Sequence, residues 1–241
     1  MLRIVFHAVL LALYTLLLGV PAILFLILIP TGDPLLWFAR PWAWLIARSF
    51  GTRVEARGTE RIPRGQACVF MSNHQSHFDL IALVLALPAQ YRILAKKALF
   101  RIPVFGWALW LAGFIPIDRS DRERAIASID RAVASVRRGR SVVIFAEGTR
   151  SPDGTLQPLK KGGFHLALQS GAPIVPVSIR GGVRVLPRGS LHIRPGRMEV
   201  VFGQPIPVEG RDVDSMDALM AEVRASLLAG LGDQESTPAG I

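Results

Sequence analysis

The stretch Ala67-Cys-Val-Phe-Met-Ser-Asn-His-Gln-Ser-His-Phe-Asp-Leu-Ile-Ala-Leu-Val-Leu-Ala-Leu87 places a polar segment between two apolar runs. Residues 67–71 have the length and the Val and Phe content of a buried strand, and residues 80–87 lack period-2 alternation and are typical of a buried helix. In α/β proteins, a polar turn between a buried strand and a buried helix usually displays the reactive groups. The stretch therefore predicts an α/β domain with its chemistry in residues 72–80.

Within this polar segment, His74 and Asp79 could form a general base. A carboxylate fixes one tautomer of the imidazole and stabilises the imidazolium once the other ring nitrogen takes a proton. Residues five apart differ by about 140° around a regular helix axis, so the pair meets only if His74 lies in the turn and Asp79 folds back from the helix start. Two other interpretations are open. Asp79 could cap the helix beside an exposed His74, or His74, His77 and Asp79 could bind a metal ion.

The composition indicates an anionic partner and a membrane. The 241 residues carry a formal net charge of +10, and 51% of them are hydrophobic. The charge fits nucleic acid, an anionic membrane surface or a phosphorylated small molecule, and the hydrophobic content argues against an ordinary nucleic-acid-binding protein. Cys68 is the one cysteine of the sequence and lies in an apolar run. This predicts a buried, inert thiol and excludes a disulfide framework and a cysteine-based metal site.

The N-terminal part of the chain is predicted to be a membrane anchor comprising residues 1–50. Residues 4–29 contain no Asp, Glu, Lys or Arg, and such a run can cross a hydrocarbon core of roughly 30 Å as a helix, which Pro21 would kink. It is too long for a cleaved signal peptide. Residues 35–50 mix Trp and Arg with Leu and Ala, which suits the headgroup layer. Three arrangements are open: a transmembrane helix followed by an interfacial helix, a helical hairpin embedded in one leaflet, and an ordinary pair of buried helices.

Strands and helices alternate through the rest of the chain. This predicts a mixed, partly parallel sheet flanked by helices in residues 51–232, the catalytic domain, and a flexible tail in residues 233–241. The predicted strands are residues 52–58, 67–71, 91–95, 113–119, 141–146 and 174–179, with a hairpin formed by residues 191–194 and 198–202. The predicted helices are residues 78–87, part of 100–111, a helix begun by Ser120 and Glu123 as a capping box, and residues 164–170 and 213–231.

A second polar turn, Glu147-Gly-Thr-Arg-Ser151, follows a later buried strand. Its backbone amides and Arg150 could hold a phosphate or another anion, although a solvated turn with a surface Glu–Arg pair explains the same pattern. Lys96 and Arg119 also follow predicted strands. Residues 180–197 contain five arginines and no acid, which fits a loop facing a membrane or an anion as well as a solvated basic face.

Four blocks occur in order along the chain. They are Asn73-His-Gln-Ser-His-Phe-Asp79, Gly113-Phe-Ile-Pro-Ile-Asp-Arg119, Phe145-Ala-Glu-Gly-Thr-Arg-Ser151 and Ile174-Val-Pro-Val-Ser178. Together they resemble the four signature blocks of the glycerolipid acyltransferases, specifically the bacterial 1-acylglycerol-3-phosphate acyltransferases. Lys160-Lys-Gly-Gly-Phe-His-Leu-Ala167 is similar to that family's segment between the third and fourth blocks, and the resemblance covers about residues 50–210. Four blocks in this order are far more specific than the His–Asp pair alone.

The resemblance implies a role for each matching residue. His74 would deprotonate the sn-2 hydroxyl of a lysophospholipid, which then attacks an acyl thioester, and Asp79 would orient His74. Other residues would bind substrate. The glycerol phosphate would be held by the turn Glu147, Gly148, Thr149 and Arg150, with help from Lys96 and Arg119. Pro176 would shape the acyl-donor side. No acyl-enzyme, metal or tightly bound cofactor is implied, because acyl-CoA or acyl carrier protein delivers the acyl group as a co-substrate.

The resemblance further implies an enzyme that makes phosphatidic acid in phospholipid biosynthesis. It would lie in the inner (cytoplasmic) membrane of a bacterium, with the catalytic domain on the cytoplasmic side. Its partners would be the lysophospholipid, the acyl thioester and membrane lipid, and not nucleic acid. Three alternatives are open: an acyltransferase for another lysolipid such as lyso-ornithine lipid, a hydrolase that uses the same base on water, and a non-catalytic anchored module that binds anionic lipid or nucleic acid. His77 is assigned a structural or substrate-side position.

Overall fold

A computed structural model describes residues 2–118 and 121–232. Within these ranges the strands are β1 (Thr52–Arg57), β2 (Val69–Ser72), β3 (Tyr91–Lys96), β4 (Ile115–Ile117), β5 (Ser141–Phe145), β6 (Ile174–Arg180) and β7 (Gly196–Phe202). They form a seven-stranded sheet in the order β1-β7-β6-β2-β5-β3-β4. Every neighbouring pair is parallel except β6 and β7. The predicted mixed, partly parallel sheet is confirmed, with β1 as an edge strand.

Helices cover both faces of the sheet. They are α1 (Leu2–Leu28), α2 (Leu35–Ser49), α3 (Phe78–Ala86), α4 (Phe105–Leu111), α5 (Arg122–Arg137), α6 (Lys161–Ser170), α7 (Gly182–Val185) and α8 (Met216–Leu231). Short 3₁₀ helices are formed by Thr59–Arg61 and Lys97–Arg101. One apolar cluster joins α1 to α4 to the first face of the sheet, and a second cluster joins α5, α6 and α8 to the other face.

The apolar pattern of each element explains its place. β2 and β5 are buried along their whole length, because parallel strands covered by helices on both faces carry apolar side chains on both sides. α5 buries Ile129, Ala132, Val133 and Val136, whose spacing of three and four residues puts them on one helix face. β2, β3, β5 and β6 run in the same direction. Their carboxyl ends therefore lie at one edge of the sheet, and the turns that follow them meet there.

One predicted element, the hairpin of residues 191–194 and 198–202, is wrong. Residues 191–195 form no strand, and β7 pairs in parallel with β1 and antiparallel with β6. Both edges of β7 are thus occupied, so no position is left for a hairpin partner. The segment before β7 instead contacts the end of α7, where Arg194 N donates to Val185 O at 2.9 Å.

Three predictions concern residues that the structure does not describe. Arg119, the predicted capping residue Ser120 and the tail of residues 233–241 lie outside the described ranges. Inside those ranges, α5 is capped by the residue after Ser120, because the carboxylate of Asp121 accepts a hydrogen bond from Arg124 N at 3.1 Å. Asp is as effective an N-cap as Ser, so the local sequence offers both.

α1 and α2 run antiparallel to each other as a helical hairpin. Tyr14 Oη and Ser49 Oγ are 2.9 Å apart, and the indole N–H of Trp42 donates to Thr15 Oγ1 at 3.1 Å. Buried side chains of both helices belong to the same apolar cluster as α3 and β3. The predicted anchor and the sheet therefore share one core, and the functional division at residue 50 stays a prediction.

The turn between α1 and α2 is fixed to the sheet by a buried arginine. Arg92 of β3 is 1% exposed, and its guanidinium donates to Tyr91 O at 3.0 Å, Thr31 O at 2.9 Å and Asp33 Oδ1 at 3.0 Å. Gly32, in the same turn, has a φ of +80° and lies so close to the Arg92 guanidinium that an added Cβ would be 2.7 Å from Nη2. Because a buried charge needs such partners, these contacts hold the hairpin against β3.

The outer side of α1 is exposed and apolar. Among the residues that the structure describes, Ile4–Leu28 is the helical segment long and apolar enough to cross a membrane. The helix continues through Pro21. Large side chains that stay exposed along it include Phe6, Leu13, Leu17, Leu24 and Leu28. An apolar helix with one bare side is typical of contact with lipid or with another apolar surface.

Candidate active site

The turns that follow β2 and β5 are in direct contact at the carboxyl edge of the sheet. His74 N donates to Glu147 Oε1 at 2.6 Å, and Ser151 N donates to His74 O at 2.7 Å. Lys96 ends β3 at the same edge. In open α/β sheets, ligands bind at the carboxyl ends of the strands. The structure thus brings the first and third sequence blocks together around the backbone of His74.

His74 and Asp79 form a hydrogen-bonded pair. His74 Nδ1 lies 2.9 Å from Asp79 Oδ2; the Asp79 side chain is 0% exposed and that of His74 is 16% exposed. Asp79 lies in the first turn of α3 and folds back, so that Oδ2 also accepts from Gln75 N at 2.6 Å and Ser76 N at 2.8 Å. The geometry that the pair requires is therefore met. With Nδ1 held by the carboxylate, Nε2 is the ring nitrogen placed to act as a base.

The ring and the backbone of His74 are each supported from a neighbouring strand. Phe145, the last residue of β5, stacks under the imidazole with ring centroids 3.8 Å apart and an interplanar angle of 16°. On the other side, Asn73 Nδ2 donates to Ile179 O at 2.9 Å and Asn73 Oδ1 accepts from Ile179 N at 2.7 Å. This side chain extends the β2–β6 ladder by one step and fixes the point at which the chain leaves the sheet.

Glu147 is buried and holds backbone amides. Its Oε1 accepts from His74 N and its Oε2 from Gln157 N at 3.0 Å, and the residue is 2% exposed. Burial raises the pKa of Glu147 to about 7, although both backbone donors act to lower it. The carboxylate therefore positions the turn that carries His74. The expectation that it holds a glycerol phosphate stays a prediction.

Basic residues that end or follow two strands of the sheet act on the charge of His77. Burial is the main cause that lowers the pKa of His77; the positive charges of Arg150 and Lys96 lower it further, and the Asp79 carboxylate acts in the opposite direction. Arg188 joins this group, because its Nη1 donates to Arg150 O at 2.9 Å. Such convergence of positive charge favours an anion. Arg119, predicted to assist here, lies outside the described residues.

The remaining predicted substrate residues differ in position. Gly148 has a φ of +71°, and its N–H donates a hydrogen bond to Phe145 O at 3.0 Å, which closes a tight turn after β5. Thr149, the next residue, is exposed. Pro176 is paired with Met71 inside the sheet, and its side chain lies on the face covered by α8, beside Gly203. That position is away from the turn that carries His74. The role of Pro176 on the acyl-donor side stays a prediction.

Sequence reasoning missed several residues that shape the site. Ser76 Oγ donates to Leu186 O at 2.8 Å, which ties the first block to the segment after α7. A Cβ added to Gly182 would lie 2.5 Å from Asp79 Oδ1, so only glycine fits beside the carboxylate. Asn73 and Ser76 lie inside the first block and could have been flagged there. No local signal marks Gly182, because its neighbour is about a hundred residues away in the sequence.

Metal-ligating side chains do not form a cluster in residues 2–118 or 121–232. No group of three or more His, Cys, Asp or Glu side chains in these ranges has the arrangement that holds a metal ion. His74, His77 and Asp79 therefore do not constitute such a group. Cys68 is buried and not in a disulfide, and burial raises the pKa of its thiol to about 11, as expected for an inert thiol.

An apolar cavity lies between the N-terminal hairpin and α3, the helix that carries Asp79 in its first turn. Its volume is about 70 Å³, and it lies between α1, α2, α3, α4 and β3. Leu80, which directly follows Asp79, and Val84 form the α3 wall, and Ala22 of α1 and Ala39 of α2 line it opposite. The lining is almost entirely hydrocarbon, so the cavity suits an apolar ligand.

Comparisons with known proteins place the chain among acyltransferases. A family model described as "Acyltransferase" matches residues 53–180. A chloroplastic 1-acyl-sn-glycerol-3-phosphate acyltransferase of Brassica napus is 36% identical over 202 residues, which cover 78% of this chain and 58% of the relative. The alpha form of 1-acyl-sn-glycerol-3-phosphate acyltransferase from Bos taurus is 35% identical over 203 residues, with 80% and 71% covered. The chain thus spans little more than half of the plant relative.

A solved structure shares the fold. The crystal structure of the 1-acyl-sn-glycerophosphate (LPA) acyltransferase PlsC from Thermotoga maritima matches with a TM-score of 0.78 over 96% of this chain and 98% of that chain. The two sequences are 23% identical. This likeness includes nearly the whole chain, so the architecture extends to the N-terminal hairpin.

Proposed function

We propose, from the premise that this chain belongs to the acyltransferase family, that it transfers a fatty acyl chain from an acyl thioester to the sn-2 hydroxyl of 1-acylglycerol-3-phosphate. The product is phosphatidic acid, an intermediate of phospholipid biosynthesis. The observation that carries the proposal is the His74–Asp79 pair at the carboxyl edge of the sheet, with the positive charges of Arg150 and Lys96 acting on the neighbouring His77. Relatives at 35% and 36% identity carry this activity in their names.

The geometry of the pair supports direct transfer to the acceptor. Nε2 of the neutral His74 takes the proton of the sn-2 hydroxyl while that oxygen attacks the thioester carbonyl. Asp79 stabilises the imidazolium that forms. When the tetrahedral intermediate collapses, the C–S bond breaks and the imidazolium proton passes to the departing thiolate, which returns His74 to its neutral form. The attacking oxygen belongs to the acceptor, so we propose no acyl-enzyme, and likewise no metal ion or tightly bound cofactor.

The two chemically different parts of the acceptor have matching surroundings. Its phosphate is proposed to lie near Arg150 and Lys96, with Thr149, Gly148 and Arg119 completing the site. A guanidinium binds phosphate through paired hydrogen bonds, which makes Arg150 the main phosphate ligand in the proposal. An acyl chain is proposed to occupy the apolar cavity whose α3 wall begins at Leu80, next to Asp79. α1 and α2 would then serve both as anchor and as two walls of the acyl site.

The anchor is proposed to lie in one leaflet and not to cross the bilayer. The inner side of α1 is packed from Thr15 to Leu26: Thr15 contacts α2, Gly19 contacts Val104 just before α4, and Ala22 and Leu26 are each 1% exposed. If α1 crossed the membrane, the sheet packed beside it would also lie at membrane depth. The exposed stripe of α2 is Trp37, Arg40, Trp44 and Arg48, a mixture typical of the headgroup layer. We propose the cytoplasmic face of a bacterial inner membrane as the location.

Acyl transfer by membranes that contain His74→Ala tests the proposal. The membranes receive lysophosphatidic acid with acyl-CoA or acyl carrier protein thioester, and the products are separated by mass. A general base contributes about 10²–10⁴-fold, so the rate of phosphatidic acid formation should fall by that factor. His165→Ala, on α6 at the other face of the sheet, is the matched control. Unchanged turnover by His74→Ala would overturn the catalytic assignment.

The same assay separates the alternatives. Parallel reactions with other lysolipids, including lyso-ornithine lipid, identify the acceptor. Release of free fatty acid without a two-chain lipid would indicate a hydrolase. Lipid binding without product from any acceptor would indicate a non-catalytic module, and binding of nucleic acid by the full chain would contradict the proposed partners. Comparison of the two thioesters identifies the acyl donor.

A further inference from the structure

We propose that α4 and the turn before it form a second lipid contact, which adjoins the α1–α2 hairpin and in which Trp107 and Trp110 insert into the headgroup layer of a phospholipid bilayer. The inference rests on the membrane location under the proposed function. In this proposal the membrane-binding face includes α4 as well as the N-terminal hairpin. Four observations support it: the two faces of α4, its packing on α1, the charge of the surrounding segment, and the exposure of the tryptophans.

α4 has one face in the core and one bare face. Trp107 is 55% exposed and Trp110 is 69% exposed, although Trp is a residue that folding usually buries. The two indoles are three residues apart and so share a face of the helix. Ala108 and Leu109 point the other way and line the apolar cavity. α4 is therefore a thin wall with the cavity on one side and exposed indoles on the other.

The bare face of α4 continues the bare face of α1. Val104, which directly precedes α4, packs on α1 so closely that a Cβ on Gly19 would lie 2.6 Å from Val104 Cγ1. Leu16 and Val20, beside this contact on α1, are 54% and 45% exposed. Ile102, at the start of the turn before α4, is 45% exposed. Apolar side chains of the two helices therefore form one continuous surface.

The turn before α4 fixes this arrangement. Val104 has a φ of +62°, and Phe105 N donates to Pro103 O at 2.7 Å across it. This is a tight γ-turn that a β-branched residue rarely adopts, so its neighbours must hold it in place. The contact with Gly19 is such a constraint. The direction of α4 relative to α1 is thus determined by packing, and both helices present their bare faces together.

The charge around α4 suits an anionic lipid surface. Residues 80–117 contain no Asp or Glu. Lys97 and Arg101 precede α4 and are exposed, and Lys97 also lies 3.6 Å from Asp118 in an ion pair. Indoles flanked by Lys and Arg are typical of helices at a membrane surface, where the rings enter the headgroup layer and the cations meet anionic lipid. A protein partner is disfavoured because it would have to cover α4 without displacing the bilayer from the adjoining face of α1.

Quenching of tryptophan fluorescence by brominated lipid tests the contact directly. The full chain carrying Trp37→Phe and Trp44→Phe keeps both indoles of α4 and the partly buried Trp42. On vesicles of phosphatidylcholine and phosphatidylglycerol, bromine on the acyl chains should remove most of its emission and the spectrum should shift to the blue. A second chain that also carries Trp107→Phe and Trp110→Phe should lose this response. Quenching of the α4 indoles by aqueous iodide and not by bromolipid would overturn the proposal.

Kinetics on vesicles gives an independent readout. Trp107→Ser with Trp110→Ser should raise KM for lysophosphatidic acid in vesicles several-fold and leave kcat in detergent micelles unchanged. Leu228→Ser, at a 47% exposed position of α8, is the matched control and should change neither value. Equal KM values for the double variant and the control would overturn the proposal, as would a change in oligomeric state in place of vesicle binding. If no phosphatidic acid is formed but bromolipid quenching persists, the proposed function fails and the lipid contact stands.

Discussion

Replacing Glu147 with Gln separates two roles for this residue. The family resemblance predicts that Glu147 holds the glycerol phosphate. In the structure its two carboxylate oxygens accept the backbone N–H groups of His74, at 2.6 Å, and Gln157, at 3.0 Å. Uniform substrate binding affects KM, whereas a group that holds the base for the transition state affects kcat. The two roles therefore predict different kinetic changes for the same substitution.

The expected size of the effect follows from the two hydrogen bonds. Gln keeps one carbonyl oxygen as an acceptor and places its NH₂ group against the other backbone N–H. One hydrogen bond to a charged group is lost, and such a bond contributes about 1.5–3 kcal/mol. If this cost appears in the activation free energy, kcat falls roughly 10- to 150-fold. KM for lysophosphatidic acid should stay near its wild-type value.

The pH dependence gives a second measure of the same carboxylate. Burial raises the pKa of Glu147 to about 7, so as the pH falls through this value the carboxylate takes a proton and can no longer accept both amides. The acid side of the wild-type kcat profile should be steeper than that of Glu147→Gln, which does not titrate.

The stability of the fold should depend on pH in the opposite direction from kcat. The folded state binds this proton more tightly than the unfolded state, so the stabilisation is complete below the ordinary pKa of 4.5 and is lost as the pH rises through about 7.

Steady-state rates in vesicles, with the acyl thioester saturating and lysophosphatidic acid varied, are the assay. Thermal unfolding over the same pH range checks the stability effect, whose dependence on pH should flatten in Glu147→Gln. Glu209→Gln, at an exposed position, is the matched control. A raised KM with unchanged kcat in Glu147→Gln would refute the positioning role and favour direct contact with the substrate.

Three further substitutions test the surroundings of His74. Asp79→Asn removes the negative charge that stabilises the His74 imidazolium and places an NH₂ donor where it can favour the wrong tautomer, so kcat should fall roughly 10⁴-fold, as in Ser-His-Asp enzymes; a rate near wild type in steady-state assays would contradict the base assignment. Gly182→Ala places a Cβ 2.5 Å from Asp79 Oδ1, so Tm and kcat should both fall, and an unchanged Tm in calorimetry would show that the site can widen. Asn73→Ala leaves the buried N–H and C=O of Ile179 without partners, at about 1–3 kcal/mol each. A denaturant midpoint equal to that of wild type would show that the β2–β6 contact is dispensable.

Much of the fold follows from local patterns. Apolar strands alternate with amphipathic helices, and this alternation predicts parallel strands with their carboxyl ends at one edge. The edge then brings together the turns at residues 73–79 and 147–151, which are far apart in the sequence. The contact between His74 and Asp79 was predictable only conditionally. The periodicity of a regular helix shows that two residues five apart would not meet if both lay in one helix. In the structure His74 lies in a bend before α3, and Asp79 stabilises this bend by accepting from Gln75 N and Ser76 N.

The order of the strands could not be predicted from local pattern. β2 lies between β5 and β6, and β7 enters between β1 and β6. The supports of His74 depend on this order, since Asn73 reaches Ile179 of β6 while Glu147 follows β5. The wrong hairpin has the same origin, because it assumed that neighbours in the sequence pair with each other. Adjacent strands do so only about two-thirds of the time.

The contacts of the third block divide its residues between two tasks. The Glu147 carboxylate accepts a hydrogen bond from the N–H of His74, and the N–H of Ser151 donates to the C=O of His74. The chain must therefore leave and return to His74 within five residues, which the left-handed conformation of Gly148 makes possible. Glu147 and Ser151 thus support the backbone of His74, and Gly148 allows the turn between them. Thr149 is exposed and Arg150 partly so, which leaves both side chains accessible to the phosphate of the proposed acceptor. Substitution of Arg150 should accordingly raise KM for the phosphorylated acceptor, whereas substitution of Glu147 should lower kcat.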